Sequence, residues 1–436
     1  MRSSFLFRKK DGGVFPECDC ILYIIMDVYC IRKGETKNVH FPGNMIYCKK
    51  IKKERKRMLI QNGWVHDAIH EEAYQADILI RDGKIAAVGT GLRDDEKQTV
   101  DATGLHVYPG FVDAHSHLGL DSDGVGYEGW DYNEMNDPIS PQMRGIDGFK
   151  PMQPCLLTAA KAGVTTVCTG PGSANVLGGT FCAVKTVGKR VDDMVVKEAV
   201  AMKCAFGENP KRCYRDKGVS TRMTTAAMLR ETLFKAREYL EKKEAAGEDA
   251  AKRPAFDMKL EALIPVLKRE IPLKAHAHAA EDIFTALRIA KEFNVKITLE
   301  HVTEGHLIAS ELAKENVPCA VGPSLSHASK FELRNKTFDT PGILARAGLQ
   351  VSIITDAPVI PQEYLPLCAG LAIKHGMDPF AALQAITINP ARHGGIADRV
   401  GSIEVGKDAD LVLCGGSPFD TDPDIRAVYI DGKKVE

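Results

Sequence analysis

The sequence predicts an α/β protein, a (β/α)8 TIM barrel with a small β-sandwich domain formed from both ends of the body. Three observations predict it. Strand-like apolar runs alternate with helical patterns through the middle of the chain. Alternating apolar and polar residues with Asn-Gly or Asp-Gly turns occupy both ends of the body. Histidines and a carboxylate fall where the middle runs stop. Alternation of strand and helix implies a parallel sheet, and roughly eight repeats in about 290 residues favour a closed barrel. A doubly wound open sheet is the alternative, but no Gly-x-Gly-x-x-Gly follows a first strand.

Taken in order, residues 1–57 show no clear periodicity and end in "KKIKKERKR". They carry fourteen Lys+Arg against six Asp+Glu, a net of +8 that leaves the remainder at −9 out of a total of −1. The string Lys53-Glu54-Arg55 can be encoded by a purine-rich ribosome-binding sequence just before Met58, so the segment is read as a doubtful leader outside the native protein. The alternative is a basic tail that binds an acidic surface. Residues 58–108 form the first part of the β-sandwich, with Asn62-Gly63 and Asp82-Gly83 as hairpin signals. Residues 109–396 form the barrel, and residues 397–436 complete the sandwich with another Asp-Gly-Lys turn. Barrel strands are expected at 110–115, 164–170, 200–207, 272–278, 295–301, 317–322 and 349–356. Helices are expected at 280–293, 306–315 and 379–387, with a solvated helix across 225–252. The Gly-rich "GPGSANVLGG" (170–179) opens no helix and reads as a loop near the site.

Composition narrows the function. Hydrophobic residues at 44% and charged residues at 26% are ordinary for a soluble globular chain. No basic stripe crosses the body, so nucleic acid is not an expected partner. No apolar run reaches the roughly 18–20 residues of a membrane span. The twelve cysteines form no paired framework and several sit in apolar runs, which suits a reducing, cytoplasmic setting. The segment 21–30 is interrupted by Asp27 and lacks a cleavage site, so it is not read as a secretory signal.

The chemistry begins at "GFVDAHSHLGL" (110–120). Residues i and i+2 of a strand share a face, so His115 and His117 project together, about 6 to 7 Å apart at the backbone, as a pincer for one metal ion. His276 and His278 in "KAHAHAAED", His301 in "TLEHVTEGH" and Asp356 in "IITDAP" also fall at strand C-terminal ends. A barrel gathers those ends at one mouth. Singly, each histidine is better explained as a satisfied core residue; five with a carboxylate at one mouth are not.

On these pieces, and on the late "AITINPARHGGIADRVGSIEVGKDADLVL", the chain from Met58 onward resembles the amidohydrolase superfamily, with similarity to imidazolonepropionase-like and prolidase-like members. The resemblance implies a first metal held by His115, His117 and Asp356, joined by His276. It implies a second metal held by His301, or, with one metal, a His301 that polarises the substrate. His278 leaves the same strand face as His276 and competes with it for the ligand role. Binuclear relatives place a bridging glutamate or carboxylated lysine on the fourth strand. The sequence offers Glu208 and Lys203 there, and Glu208 is preferred because it lies at the expected strand end.

A divalent ion on imidazole and carboxylate ligands makes hydroxide available at neutral pH, and zinc is the default for that ligand set. The expectation is a metal-dependent hydrolase of a carbon–nitrogen bond, a dipeptide, non-peptide or cyclic amide, with one or two zinc ions. Asp356 would move the proton and the metal or His301 would stabilise the oxyanion. The alternatives are a mononuclear imidazolonepropionase- or deaminase-type enzyme and a catalytically silent barrel. Substrate selection is expected from loops, with Lys211, Lys330 and Arg334, and beside them Arg212 and Lys336, available for a substrate carboxylate. The expected partner is a small molecule, and a homo-oligomer is expected by analogy.

Overall fold

The computed structural model describes residues 40–41, 44–45, 57–93, 98–121 and 126–436. The chain divides into two units, Met1–Lys56 and Arg57–Glu436. In the first, β1 (His40–Phe41) pairs antiparallel with β2 (Asn44–Met45). The reading of residues 1–57 as an untranslated leader otherwise lies outside the described residues.

The second unit contains two eight-stranded sheets. One is built from both ends of the unit. Its strands are β3 (Arg57–Val65), β4 (Tyr74–Arg81), β5 (Lys84–Gly89), β6 (Thr99–Asp101) and β7 (His106–Pro109), joined by β16 (Leu411–Cys414), β17 (Ile425–Ile430) and β18 (Lys433–Lys434). The ends meet where β7 pairs antiparallel with β16, Pro109 opposite Leu411. Asp82-Gly83 turns β4 into β5 with both φ positive, at 52° and 80°. Asn62-Gly63 does not make a hairpin. It lies inside β3 as an irregularity in the pairing with β4, where Asn62 (φ 64°) donates its backbone N–H to Asp77 Oδ1 at 2.9 Å. A Cβ on Gly63 would meet the Val107 side chain at 2.6 Å, so close approach of β7 rather than a turn requires the glycine.

The other sheet is the barrel: β8 (Phe111–Ser116), β9 (Val164–Thr169), β10 (Leu177–Lys185), β11 (Val195–Ala205), β12 (Leu273–Ala277), β13 (Ile297–His301), β14 (Cys319–Val321) and β15 (Val351–Ile353), each beside the next. It closes through backbone bonds from Asp356 N–H to His115 O and from His117 N–H to Ala357 O, at 3.3 and 2.8 Å. The third barrel strand, β10, was not expected, and it runs antiparallel to both neighbours. A parallel crossover needs a dozen or more residues, and the short stretch from Gly170 to Val176 cannot supply one. The Gly-rich stretch is therefore part loop and part strand. The helix Ala280–Phe293 has the expected bounds, and a continuous helix Arg222–Ala246 spans much of the charged stretch. Among the described residues, no helix is long and apolar enough to cross a membrane, and the eight described cysteines are free.

A candidate metal centre at the barrel mouth

Pairing register fixes the inward-facing set. Lys203 lies opposite Lys274 across β11 and β12, Ala205 opposite His276, and His276 opposite Glu300 across β12 and β13. Side chains at i and i+2 share a face. Lys203, Lys274, His276, Thr298 and Glu300 thus point into the barrel with Asp113 and His115, and all are buried. His301 directly follows Glu300, and simple alternation would turn one of them outward. Both reach the interior because His301 adopts φ 74°. Asp356, at φ 53°, sits in the same left-handed region just past β15. Such conformations cost of order 1–3 kcal/mol in a non-glycine residue and persist where surrounding structure imposes them.

The imidazoles are oriented from behind. Three of them bond an acceptor through Nδ1: His115 with Glu300 Oε2 at 2.8 Å, His117 with Gly170 O at 2.7 Å and His301 with Gly322 O at 2.8 Å. These bonds place the proton on Nδ1 and leave the Nε2 lone pair for the mouth, the arrangement that metal-ligating histidines need. His117 Nε2 is 3.3 Å and His115 Nε2 is 3.6 Å from Asp356 Oδ1. Two groups of donors converge within 4.8 Å: His115, His301 and Asp356, and His276, His278 and His301. Both ring nitrogens of His276 and Nε2 of His301 are buried without a hydrogen-bond partner. Unsatisfied buried polar atoms are costly, and a cation at these nitrogens satisfies them. The donor set fits a divalent metal.

Electrostatics agree with that fit. Burial pushes His301 down to about 4 and His276 and His278 well below the usual imidazole value, so all three are neutral donors at pH 7. Burial alone would raise Asp356, but the surrounding His301, His117 and His115 outweigh it and hold the carboxyl below its ordinary range.

On the fourth strand, the structure brings Lys203 to the cluster and not Glu208. Strand β11 ends at Ala205, and the chain leaves it at Gly207 (φ 79°), so Glu208 starts the short helix Glu208–Cys213. Its backbone N–H donates to Glu332 Oε2 at 2.9 Å. Lys203, two residues from the strand end, extends its long side chain toward the mouth and sets Nζ 3.0 Å from His115 Nε2. Burial pushes its amine down to about 7.

Other groups at the site carried no sequence signal. Glu300 accepts from Lys274 Nζ at 2.7 Å and Thr298 Oγ1 at 2.7 Å, and bonds His393 Nε2 at 2.8 Å besides His115. Burial would raise its carboxyl, yet Lys274, His393 and the His115 bond hold it well below the usual range. Glu300→Gln leaves Lys274 without its counter-charge, so chemical denaturation should report a loss of about 3–5 kcal/mol. A loss under 1 kcal/mol would show that the network is dispensable. Phe181, from the antiparallel β10, packs its ring 5.3 Å from that of His115, and Tyr132 stacks on His117 at 5.5 Å. Glu332, fully buried, lies 3.8 Å from His276 Nε2 and 3.7 Å from His278 Nε2.

Of the basic residues expected at the substrate, Lys330 is held by Glu332 at 2.7 Å and Asn209 at 3.2 Å, and Arg334 lies 3.3 Å from Glu304. Lys211 and Arg212 sit in the helix Glu208–Cys213.

A model of the Amidohydrolase family matches residues 106–435. The chain is 28% identical over 386 residues to amidohydrolase tasK of Hapsidospora irregularis, a match spanning 82% of this chain and 39% of that protein. It is 23% identical over 390 residues to adenine deaminase 1 of Desulfotalea psychrophila, spanning 86% of this chain and 57% of that one. The chain thus covers less than two thirds of these relatives' lengths. Among solved structures, an amidohydrolase from Thermotoga maritima aligns with TM-score 0.84 and 41% identity over 87% of this chain and 99% of that one. A prolidase complexed with N-methylphosphonate-L-proline aligns with TM-score 0.55 and 17% identity over 87% of this chain and 99% of that one, a likeness of fold. The matched family spans the barrel with every donor of the candidate metal centre in it, and the chain belongs to the amidohydrolase family.

Proposed function

We propose that the protein is a metal-dependent hydrolase of a carbon–nitrogen bond in a small molecule, an amide of the dipeptide, N-acyl amino acid or cyclic class. The observation that carries this reading is the convergence of His115, His117, His276, His301, Asp356 and Lys203, with the Nε2 lone pairs of His115, His117 and His301 aimed at one mouth. His115, His117 and Asp356 would hold one zinc ion, and His301 would hold a second with His276, which the resemblance assigned to the first ion but which lies with His278 and His301, or with His278 in its place. Zinc bound there supplies a water whose pKa falls to about 7.

The chain's own groups do the rest. An amine at about 7 is in large part neutral at physiological pH, and its lone pair can attack CO2, forming an N–C bond and releasing a proton. The resulting carbamate on Lys203 would provide the bridging carboxylate that the fourth strand otherwise lacks. Asp356 stays ionised and lies beside the imidazoles, so it can accept the proton of the attacking water and pass it to the leaving nitrogen. His301, with its proton fixed on Nδ1 by Gly322, presents Nε2 to the reaction space as a ligand. The binuclear form is favoured over the one-metal deaminase-type form because Lys203 reaches the cluster.

The test is hydrolysis of a panel of dipeptides, N-acyl amino acids and cyclic amides before and after chelation. Activity should disappear with the metal and return with zinc. Turnover that survives complete metal removal would contradict the proposal.

A further inference from the structure

The loop that follows β14 connects two parts of the metal centre. Gly322 at its start holds His301, and Glu332 within it faces His276 and His278. Between and beyond them the loop lines an open pocket of about 400 Å³ bounded by residues from Ser324 to Phe338, among them Ser324, Ser326, His327, Arg334 and Lys336. No carboxylate lines it. The Lys336 ammonium is half-buried and bonds a neutral partner, Ser326 Oγ at 3.2 Å. Among the described residues no acidic group pairs with it, and burial alone pushes its pKa down. Arg334 at the rim is steadied over the Phe331 ring at 4.3 Å. A partly desolvated ammonium with only a hydroxyl neighbour has given up water without gaining a counter-charge, and an oxyanion would restore it through charge-assisted bonds.

We propose that this pocket is an oxyanion-binding subsite, with Lys336 as its principal cation, and that its ligand is the carboxylate of the substrate. The assignment of the ligand as substrate rests on the hydrolase reading above; the oxyanion site itself does not. Lys336 and the serine hydroxyls would grip the carboxylate while the scissile bond lies toward the histidines at the loop's two anchor points. The carboxylate-bearing members of the amide classes named above would then be selected over their neutral amides.

The experiment is calorimetric titration of metal-loaded protein with sulfate, and with N-acetyl derivatives of alanine, aspartate and glutamate. Sulfate should bind the native protein, about tenfold more weakly to Lys336→Met, and again normally to Lys336→Arg. The N-acetyl amino acids should displace it. Sulfate binding that is absent or indifferent to Lys336 would overturn the site. N-acetyl amino acids that fail to bind, or that bind without displacing sulfate, would overturn the assignment to substrate. Displacement of sulfate reads binding whether or not a ligand is also hydrolysed, so its failure is distinct from a failure of the hydrolase reading, which the chelation test decides.

Discussion

Asp356→Asn is expected to leave a folded protein whose turnover falls by about a thousandfold, the usual scale for removing a general acid–base group. The fold should survive because asparagine tolerates the left-handed conformation that Asp356 adopts at φ 53°. The amide keeps an oxygen donor near His117, but it can neither hold a full negative charge nor accept a proton. The loss should therefore fall on kcat more than on KM. Steady-state kinetics beside circular dichroism checks this, and activity retained within tenfold would remove Asp356 from the proton-transfer role.

Lys203→Ala is the second large effect. The side chain is completely buried and its amine stands 3.0 Å from His115 Nε2. If its carbamate bridges two metals, alanine removes a shared ligand, and activity should fall by at least about a thousandfold, as for a group acting only with its partners. Added acetate, which supplies a carboxylate, should restore part of it. The intact native protein should weigh more than its sequence mass by one CO2 per chain under non-denaturing conditions and lose that increment in acid. A Lys203→Ala protein with near-native turnover would exclude the bridge.

Much of this was legible in the sequence because apolar β-branched runs and turn pairs obey local rules. Seven barrel strands, the helix at 280–293 and the pairing of the two ends follow from them. The remaining strand, β10, was hidden because Gly178 and Gly179 dilute its apolar pattern and it runs antiparallel to both neighbours. Asn62-Gly63 carries a hairpin signal, but the close approach of Val107 decides its role, and that contact is non-local. The histidines and Asp356 were legible as polar residues ending apolar runs. The choice between Lys203 and Glu208 was not, since it depends on where β11 stops. Two residues of strand end and a turn at Gly207 exchange their positions relative to the mouth. Glu300 was invisible for a similar reason: alternation from His301 would turn it outward, and only the left-handed backbone at His301 lets both face in.

The most direct test of the central claim, a binuclear centre bridged through Lys203, is elemental analysis of metal in the native protein purified without chelator, beside Lys203→Ala and Glu208→Ala. About two divalent ions per chain in the native and Glu208→Ala proteins, falling to one or fewer in Lys203→Ala, is the predicted result. Metal content that is unchanged by Lys203→Ala, or that falls in Glu208→Ala instead, would contradict it.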